Sequence, residues 1–564
     1  MKQIIKKAGG MINTLNRRKL STDIGSFEIL YKDLLGRIGK LKTKSGYIET
    51  PCLLPVVNIT KQPISMDELY NEFNCKAIMT NAYLLKKKFE SSIIKKGIHE
   101  FLGFEGVVFT DSGAYQILTY GEIDVEPLEI VFFEEDIGSD IAVILDFPTG
   151  IGESRKKAEL TINETLKRGD DALKKIRRKD ILWVGPIQGG TYIDLVKSCS
   201  QEMSKRNFSI YALGSPTKVM ESYKFETLFN MIFTAKSNLP MNRPFHLFGA
   251  GHPFMFSLAV ASGCDMFDSA AYVIYARNGR YLTDHGTSKI EDMKYFPCSC
   301  PICVKNTPKD LLELSFEKKI EFLSRHNLYI CFEEIKRIKE AIIEGRLWEL
   351  IEIRTKSHPS LLQAMSCFKK YKNFLEENTP SSKKHGIFFF GKQSTYRPEV
   401  VRYRKRIIED YKPPRNFKRM LLLPAPTNKP LIHNKFIRYL IRNFEAFKDL
   451  QICTYSSPFG IVPLEISDMF PLSQIEICAE SNEEVEEDVI RAITNYLKKN
   501  DYKKIIMHSD NKLWDKNKLK RIRKICDRKK IDLYVSYHGD KVWNRESLEN
   551  IIKILEIPFN GVSS

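Results

Sequence analysis

Between about residues 50 and 270 the chain repeats one rhythm eight times: a short β-rich apolar run, then a longer Lys/Glu-rich stretch with helical spacing. The runs are Cys52–Val57, Ala77–Thr80, Val107–Thr110, Ile141–Leu145, Ile181–Ile187, Ser209–Leu213, Phe245–Gly249 and Cys264–Phe267. Eight parallel strands separated by helices close into a (β/α)8 TIM barrel, an α/β fold whose active site lies at the C-terminal ends of the strands. Polar and glycine residues stand at those ends: Asp111-Ser112-Gly113, Asp146, Gln188-Gly189-Gly190, Gly214-Ser215, Gly249-Ala250-Gly251 and Asp268-Ser269. Any one of them is an ordinary turn glycine or helix cap. Six at equivalent positions point to a site.

A second constraint follows the barrel. Cys298, Cys300 and Cys303 fall within six residues, and His326 follows after a basic stretch. Three cysteines so spaced cannot all pair with one another, and the other nine are scattered singly, as in a reducing compartment. Cys3His with no vacant position is the ligand set of a structural Zn²⁺, one per chain, so the chemistry is expected elsewhere.

At 564 residues the chain exceeds one hydrophobic core. We expect an N-terminal extension (1–26), a TIM-barrel catalytic domain (27–375) that includes the zinc segment 296–330, a polar linker (376–384), and a smaller α/β accessory domain (385–564). In that last domain the expected strands are Met420–Leu423, Leu450–Tyr455, Ile475–Ala479, Lys504–His508 and Asp532–Tyr537. The formal net charge is +18, and residues 381–564 carry 35 Lys+Arg against 23 Asp+Glu, a surplus of 12. Such a surplus favours a polyanion, with nucleic acid as the leading partner. The densest runs are Arg402 to Arg406 and Arg521 to Lys530. With no leader-like N-terminus and no apolar stretch of bilayer length, the expected location is cytoplasmic.

Two carboxylates at different strand ends, Asp111 and Asp268, can divide the labour of glycosyl transfer between nucleophile and proton shuttle, with retained stereochemistry. Asp146 and Gln188 suit the hydrogen-bonding edge of a purine-like base, and Tyr115 could stack on it.

At these residues the chain resembles the tRNA-guanine transglycosylases, the archaeal branch above all. The resemblance is carried by Phe109-Thr110-Asp111-Ser112-Gly113-Ala114-Tyr115-Gln116, Leu247-Phe248-Gly249-Ala250-Gly251-His252-Pro253, Asp265-Met266-Phe267-Asp268-Ser269-Ala270, the cysteine run, and the opening Lys32 to Leu41. It implies replacement of guanine at position fifteen of the tRNA D-arm by 7-cyano-7-deazaguanine through a covalent Asp–ribosyl intermediate, on the way to archaeosine. Asp268 matches the nucleophile and Asp111 the general acid/base, the pair being fixed more firmly than the division between them. Ser112, Tyr115, Asp146, Gln188, Gly189 and Gly214 match base-pocket positions. The resemblance also implies a homodimer through the zinc region. The C-terminal half resembles an accessory domain shared with archaeosine synthase, but Pro424-Ala425-Pro426 stands where that enzyme has Pro-Cys. The chain stops without the PUA domain many archaeal members carry, so a separate PUA-domain protein is a further expected partner. Two alternatives remain: a synthase-like enzyme, disfavoured by Ala425, and a catalytically silent tRNA-binding subunit, disfavoured by retention of both Asp111 and Asp268.

Overall fold

The first three strands, β1 (Phe27–Asp33), β2 (Gly36–Thr43) and β3 (Gly46–Glu49), form an antiparallel sheet that packs beneath the barrel. All eight expected runs then become strands of one parallel sheet: β4 (Cys52–Pro55), β5 (Ala77–Asn81), β6 (Val107–Asp111), β7 (Ile141–Val143), β8 (Leu182–Ile187), β9 (Ile210–Leu213), β10 (Phe245–Leu247) and β11 (Met266–Ser269). Neighbours follow in chain order, with β11 returning to pair with β4. A parallel bridge between Val56 and Met79 closes the ring between β4 and β5. This computed structural model describes residues 21–116, 124–426, 431–442, 448–478, 483–509, 514–537, 543 and 545–555.

The barrel interior is filled rather than hollow. Leu54, Met79, Phe109, Val143, Val184, Ala212 and Met266 share one core with Leu41 and Ile48 from the sheet below. Large and small side chains from alternate strands interleave, as barrel closure requires. At the strands' N-terminal end, buried Arg37 holds Asp265 through two bonds, Nε to Oδ1 at 2.7 Å and Nη2 to Oδ2 at 2.6 Å. The same guanidinium donates to the carbonyls of Met241 and Arg243. A buried, fully hydrogen-bonded pair of this kind costs little beyond its desolvation, but removing either partner strands a charge.

After the barrel, a hairpin of β12 (Arg280–Leu282) and β13 (Thr287–Lys289) leads into the cysteine segment and the long helix Phe316–Glu344. Ser315 caps that helix at its N-terminus, accepting from the Lys318 amide, and Gly345 in the left-handed region (φ 72°) ends it. No helix among the described residues is long and apolar enough to cross a membrane.

The chain divides into two compact units, Met1–Cys367 and Phe368–Ser564. In the second, β15 (Arg419–Pro424) is central to a five-stranded sheet ordered β17-β16-β15-β19-β20, with β16 (Leu450–Ser456), β19 (Lys504–Ser509) and β20 (Asp532–Tyr537) parallel to it. Leu421 and Leu423 pack into one core, Met420 and Leu422 into another, so helices cover both faces. Two strands were not legible in the sequence, β14 (Ile387–Phe389) and β17 (Gly460–Pro463). Ile475–Ile477 (β18) leaves the main sheet to pair with β14. Segment 376–384, read as a linker, is bound into this unit: Arg402 donates to Glu376 and to the carbonyls of Thr379 and Pro380, and Lys383 pairs with buried Glu399 at 2.8 Å.

Candidate active site

At the C-terminal mouth of the barrel lies a cavity of about 680 Å³. Asp111 enters it from the end of β6, Asp268 from β11, and Asp146 from the turn after β7. Tyr115, Gly214 and Gly249 also line it.

Asp111 is withdrawn from water and faces other acids. Burial, then the charges of Asp268 and Asp146, push its pKa up to about 7 against the opposing hydrogen bonds from the Gly113 amide and Asn81. Asn81 reaches it at 2.9 Å through Nδ2, while its Oδ1 accepts from the Leu84 amide and caps the following helix Ala82–Lys96. One side chain at a strand end thus starts a helix and orients a carboxylate. A carboxyl poised near neutrality can both give and take a proton at little cost.

Asp268 is held differently. Its Oδ1 accepts two hydrogen bonds, from the Gly249 amide at 2.9 Å and from His246 Nε2 at 2.8 Å. His246 stands on β10, the neighbouring strand, and Gly249 in the turn that follows it. Gly249 sits at φ +67°, where a Cβ would stand 2.7 Å from Thr217 Oγ1, so only glycine turns its amide toward the carboxylate without strain.

Asp146 is pushed up to about 6, mainly by burial, opposed by its bond from Gln188 Nε2. Gln188 is buried and does not line the cavity: its Oε1 accepts from the Thr149 amide at 3.0 Å and Ser215 Oγ at 3.2 Å. It fixes Asp146 from behind. Ser112 and Gly189 are likewise outside the cavity wall, Ser112 fully buried with a hydroxyl that finds no partner among the described residues, Gly189 packed on the start of the helix Ile193–Ser204. Tyr115 stands at the rim, 41% exposed. Of the eight expected site residues, then, Asp111, Asp268, Asp146, Tyr115 and Gly214 share the cavity, and Ser112, Gln188 and Gly189 support it. Asn81, His246 and Gly249 were not singled out as contacts of the two acids, because nothing in local sequence links β5 to β6 or β10 to β11. Such pairing is visible only once strand order is known.

The four expected metal ligands also converge: Sγ of Cys298, Cys300 and Cys303 and a ring nitrogen of His326 lie within 4.8 Å of one another. His326 Nδ1 is 3.3 Å from Cys303 Sγ and 3.7 Å from Cys300 Sγ. Its Nε2 donates to the Leu282 carbonyl at 2.9 Å, which fixes the tautomer that leaves Nδ1 free to ligate. Tyr281 stacks on the imidazole with centroids 3.5 Å apart, and its hydroxyl lies 3.4 Å from Cys303 Sγ. The donor set and its outer hydrogen bonds fit a metal ion.

A closed parallel barrel with acids from separate strands converging at its C-terminal mouth defines an enzyme of the (β/α)8 class. The profile of the family described as Queuine tRNA-ribosyltransferase matches residues 32–360, and a domain of unknown function, DUF5591, matches residues 400–555. The chain is 43% identical over 498 residues to the tRNA-guanine(15) transglycosylase of Saccharolobus solfataricus, covering 86% of this chain and 97% of that protein. With the protein of the same name from Methanococcus aeolicus it is 43% identical over 492 residues (83% and 74%), and with that from Methanocaldococcus jannaschii 41% over 461 (80% and 68%). This chain belongs to the queuine tRNA-ribosyltransferase family.

Proposed function

We propose that the protein exchanges guanine at position fifteen of the tRNA D-arm for 7-cyano-7-deazaguanine, in the route to archaeosine. The observation that carries this reading is the pair of carboxylates with unlike surroundings on one cavity. Asp268 has one oxygen engaged by two N–H donors and Oδ2 receiving none from the described residues. Asp111 is raised to about 7. In the first half-reaction, Asp268 Oδ2 attacks the ribose anomeric carbon, the glycosidic C–N bond breaks, and Asp111 gives its proton to the departing guanine. In the second, the incoming base attacks the same carbon, its proton passes to Asp111, and the ester bond to Asp268 breaks. Each inversion cancels the other. Asp146 and Tyr115 serve the base, with Gln188 holding Asp146, Gly214 lining the pocket, and Ser112 and Gly189 packed behind it. The target guanosine must leave its stack, at a cost of a few kcal/mol. Incorporation of radiolabelled guanine into unmodified tRNA tests the reading, and failure by folded, metal-loaded protein, alone or with a PUA-domain protein, would overturn it.

Gly214 gives a sharper check on the base pocket. A Cβ there would lie 2.2 Å from Gln188 Nε2, so Gly214→Ala displaces the amide that fixes Asp146. Steady-state kinetics are expected to show KM for the free base raised about tenfold, the loss of roughly one good hydrogen bond, with kcat changed far less.

We assign Zn²⁺ to the Cys3His cluster, in a structural role, since four protein ligands leave no open position. For tRNA docking, the two basic runs differ. Arg402 and Arg404 are taken up by Glu376 and Asp488. The helix Lys516–Lys529 buries Ile522, Ile525 and Cys526 and exposes Lys516, Lys520, Arg523, Lys524 and Arg528. That face suits a phosphate backbone. Replacing Lys520, Arg523 and Lys524 together by Gln is expected to weaken tRNA binding and lower the slope of log K against log salt by about 2 to 3, read from titrations at several salt concentrations. A second copy through the zinc segment and a separate PUA-domain protein belong to the same proposal; the mass of the enzyme–tRNA complex in solution tests both. The working compartment is the cytoplasm, with its tRNA.

A further inference from the structure

We infer that His246 is a positioning residue for Asp268, locking the carboxylate so that one chosen oxygen meets the ribose. The inference rests on the base-exchange reading. His246 lies in the middle of β10 with no exposed surface, among the rings of Phe109 and Phe248, whose centroids are 5.2 and 4.9 Å from its own. An imidazole is a poor choice for such a position. Its Nδ1 is buried with no hydrogen-bond partner among the described residues, an omission that ordinarily costs stability. The only polar contact the ring makes among the described residues is Nε2 to Asp268 Oδ1 at 2.8 Å.

That contact does not act alone. Gly249, three residues on, gives its amide to the same oxygen at 2.9 Å. Two donors on Oδ1, from a side chain below and a main-chain turn above, remove rotation about the Cβ–Cγ bond. Oδ2 then has one orientation and no competing donor from the described residues. Fixing a nucleophile before substrate arrives takes the cost of ordering out of the chemical step, and small misplacements are expensive: about 1 Å can cost roughly 10²-fold in rate. With Nδ1 buried and without a partner among the described residues, the ring has no second group to pass a proton to. It therefore orients Asp268 and takes no part in proton transfer, which remains with Asp111. Phe109, two residues before Asp111 on β6, is the ring in edge contact with His246, so the strand that carries the acid/base also braces the imidazole.

The test uses the full chain and four variants: His246→Phe, His246→Gln, His246→Asn and, as reference, Asp268→Asn. Measured are kcat and KM for labelled-guanine exchange and the single-turnover rate of covalent enzyme–tRNA formation, with thermal melts for folding. His246→Phe is expected to lower kcat and the covalent rate about 10²-fold with KM within about twofold, and His246→Gln, whose amide can still reach Oδ1, to recover to within about tenfold of wild type. A purely packing role would shift the melt and leave kcat alone. If His246→Phe does not fold, the Gln and Asn pair decides, since the Asn amide is one methylene short: Gln faster than Asn supports positioning, and equal rates overturn it. His246→Phe exchanging within twofold of wild type while Asp268→Asn is inactive also overturns it. Exchange by Asp268→Asn would instead remove Asp268 as the nucleophile and the inference with it, whereas no exchange by the folded, metal-loaded wild type would remove the base-exchange reading on which the inference rests.

Discussion

Asp268→Asn is expected to abolish guanine exchange, by about 10⁴-fold or more, and to remove the covalent enzyme–tRNA band from denaturing gels. The substitution is nearly isosteric, and its carbonyl oxygen can still accept from the Gly249 amide and His246, so the fold is retained. What disappears is the anionic oxygen proposed to attack. Asp111→Asn is expected to behave differently. It should lose about 10²–10⁴-fold in kcat, the usual worth of general acid–base catalysis, while still binding tRNA. It also carries a stability signature whose sign follows from linkage. A carboxyl whose folded pKa is raised to about 7 from an ordinary 3.8 favours the folded state most at low pH, and that contribution is lost as pH rises through the interval between the two values. Asn has no such loss. Melts of the two proteins should therefore diverge with rising pH, the variant becoming relatively more stable up to about pH 7 and the gap levelling beyond it. Parallel melting curves between pH 5 and 8.5 would contradict the burial argument for Asp111.

Removing the metal should produce the largest structural effect. The lobe around it has a small core of Ala276, Tyr281, Ile290, Cys303, Leu311, Phe322 and Leu323, with His326 fully buried beside it. Without an ion, three thiols and an imidazole are left in that core with each other, the Tyr281 hydroxyl and the Leu282 carbonyl as partners. Structural zinc contributes about 10–16 kcal/mol of apparent binding free energy in small zinc domains, and a lobe of this size has little else to replace it. Cys303→Ser, or chelation of the wild type, is expected to lose about one zinc per chain by metal analysis. Hydrogen exchange across residues 296–330 should rise toward that of an unfolded segment, while the barrel strands stay protected. Protection unchanged after complete metal loss would show that packing alone holds the lobe.

The barrel was legible because its strands are continuous apolar runs, and because the acids follow them directly. All eight runs fell within a residue or two of the observed strands, and Asp111, Asp146 and Asp268 reached one cavity. What escaped was lateral. Gln188 read as a group for the base, yet the closeness of β7 and β8 turns its amide onto Asp146. Arg402 and Arg404 stand in one of the densest basic runs, yet their acids, Glu376 and Asp488, lie 26 and 84 residues away. β14 and β17 escaped because strands of three and four residues carry too little periodicity to stand out. His246 looked like any other residue of a strand. Apart from those two short strands, each depends on which segments become neighbours, a property of the folded chain and of no single stretch of it.

The Arg37 clamp has a bearing on how such a protein can change. Asp265, its partner, lies three residues before Asp268 on the same short segment, so the strand that presents Asp268 is pinned from the opposite end of the barrel by a residue near the start of the chain. The mouth loops contribute nothing to that anchorage. Libraries that vary the turn after β9 can therefore explore new incoming bases while Asp268 keeps its place, provided Gly249 in the turn after β10 is left alone, whereas variation at Arg37, far from any substrate, would put that place at risk.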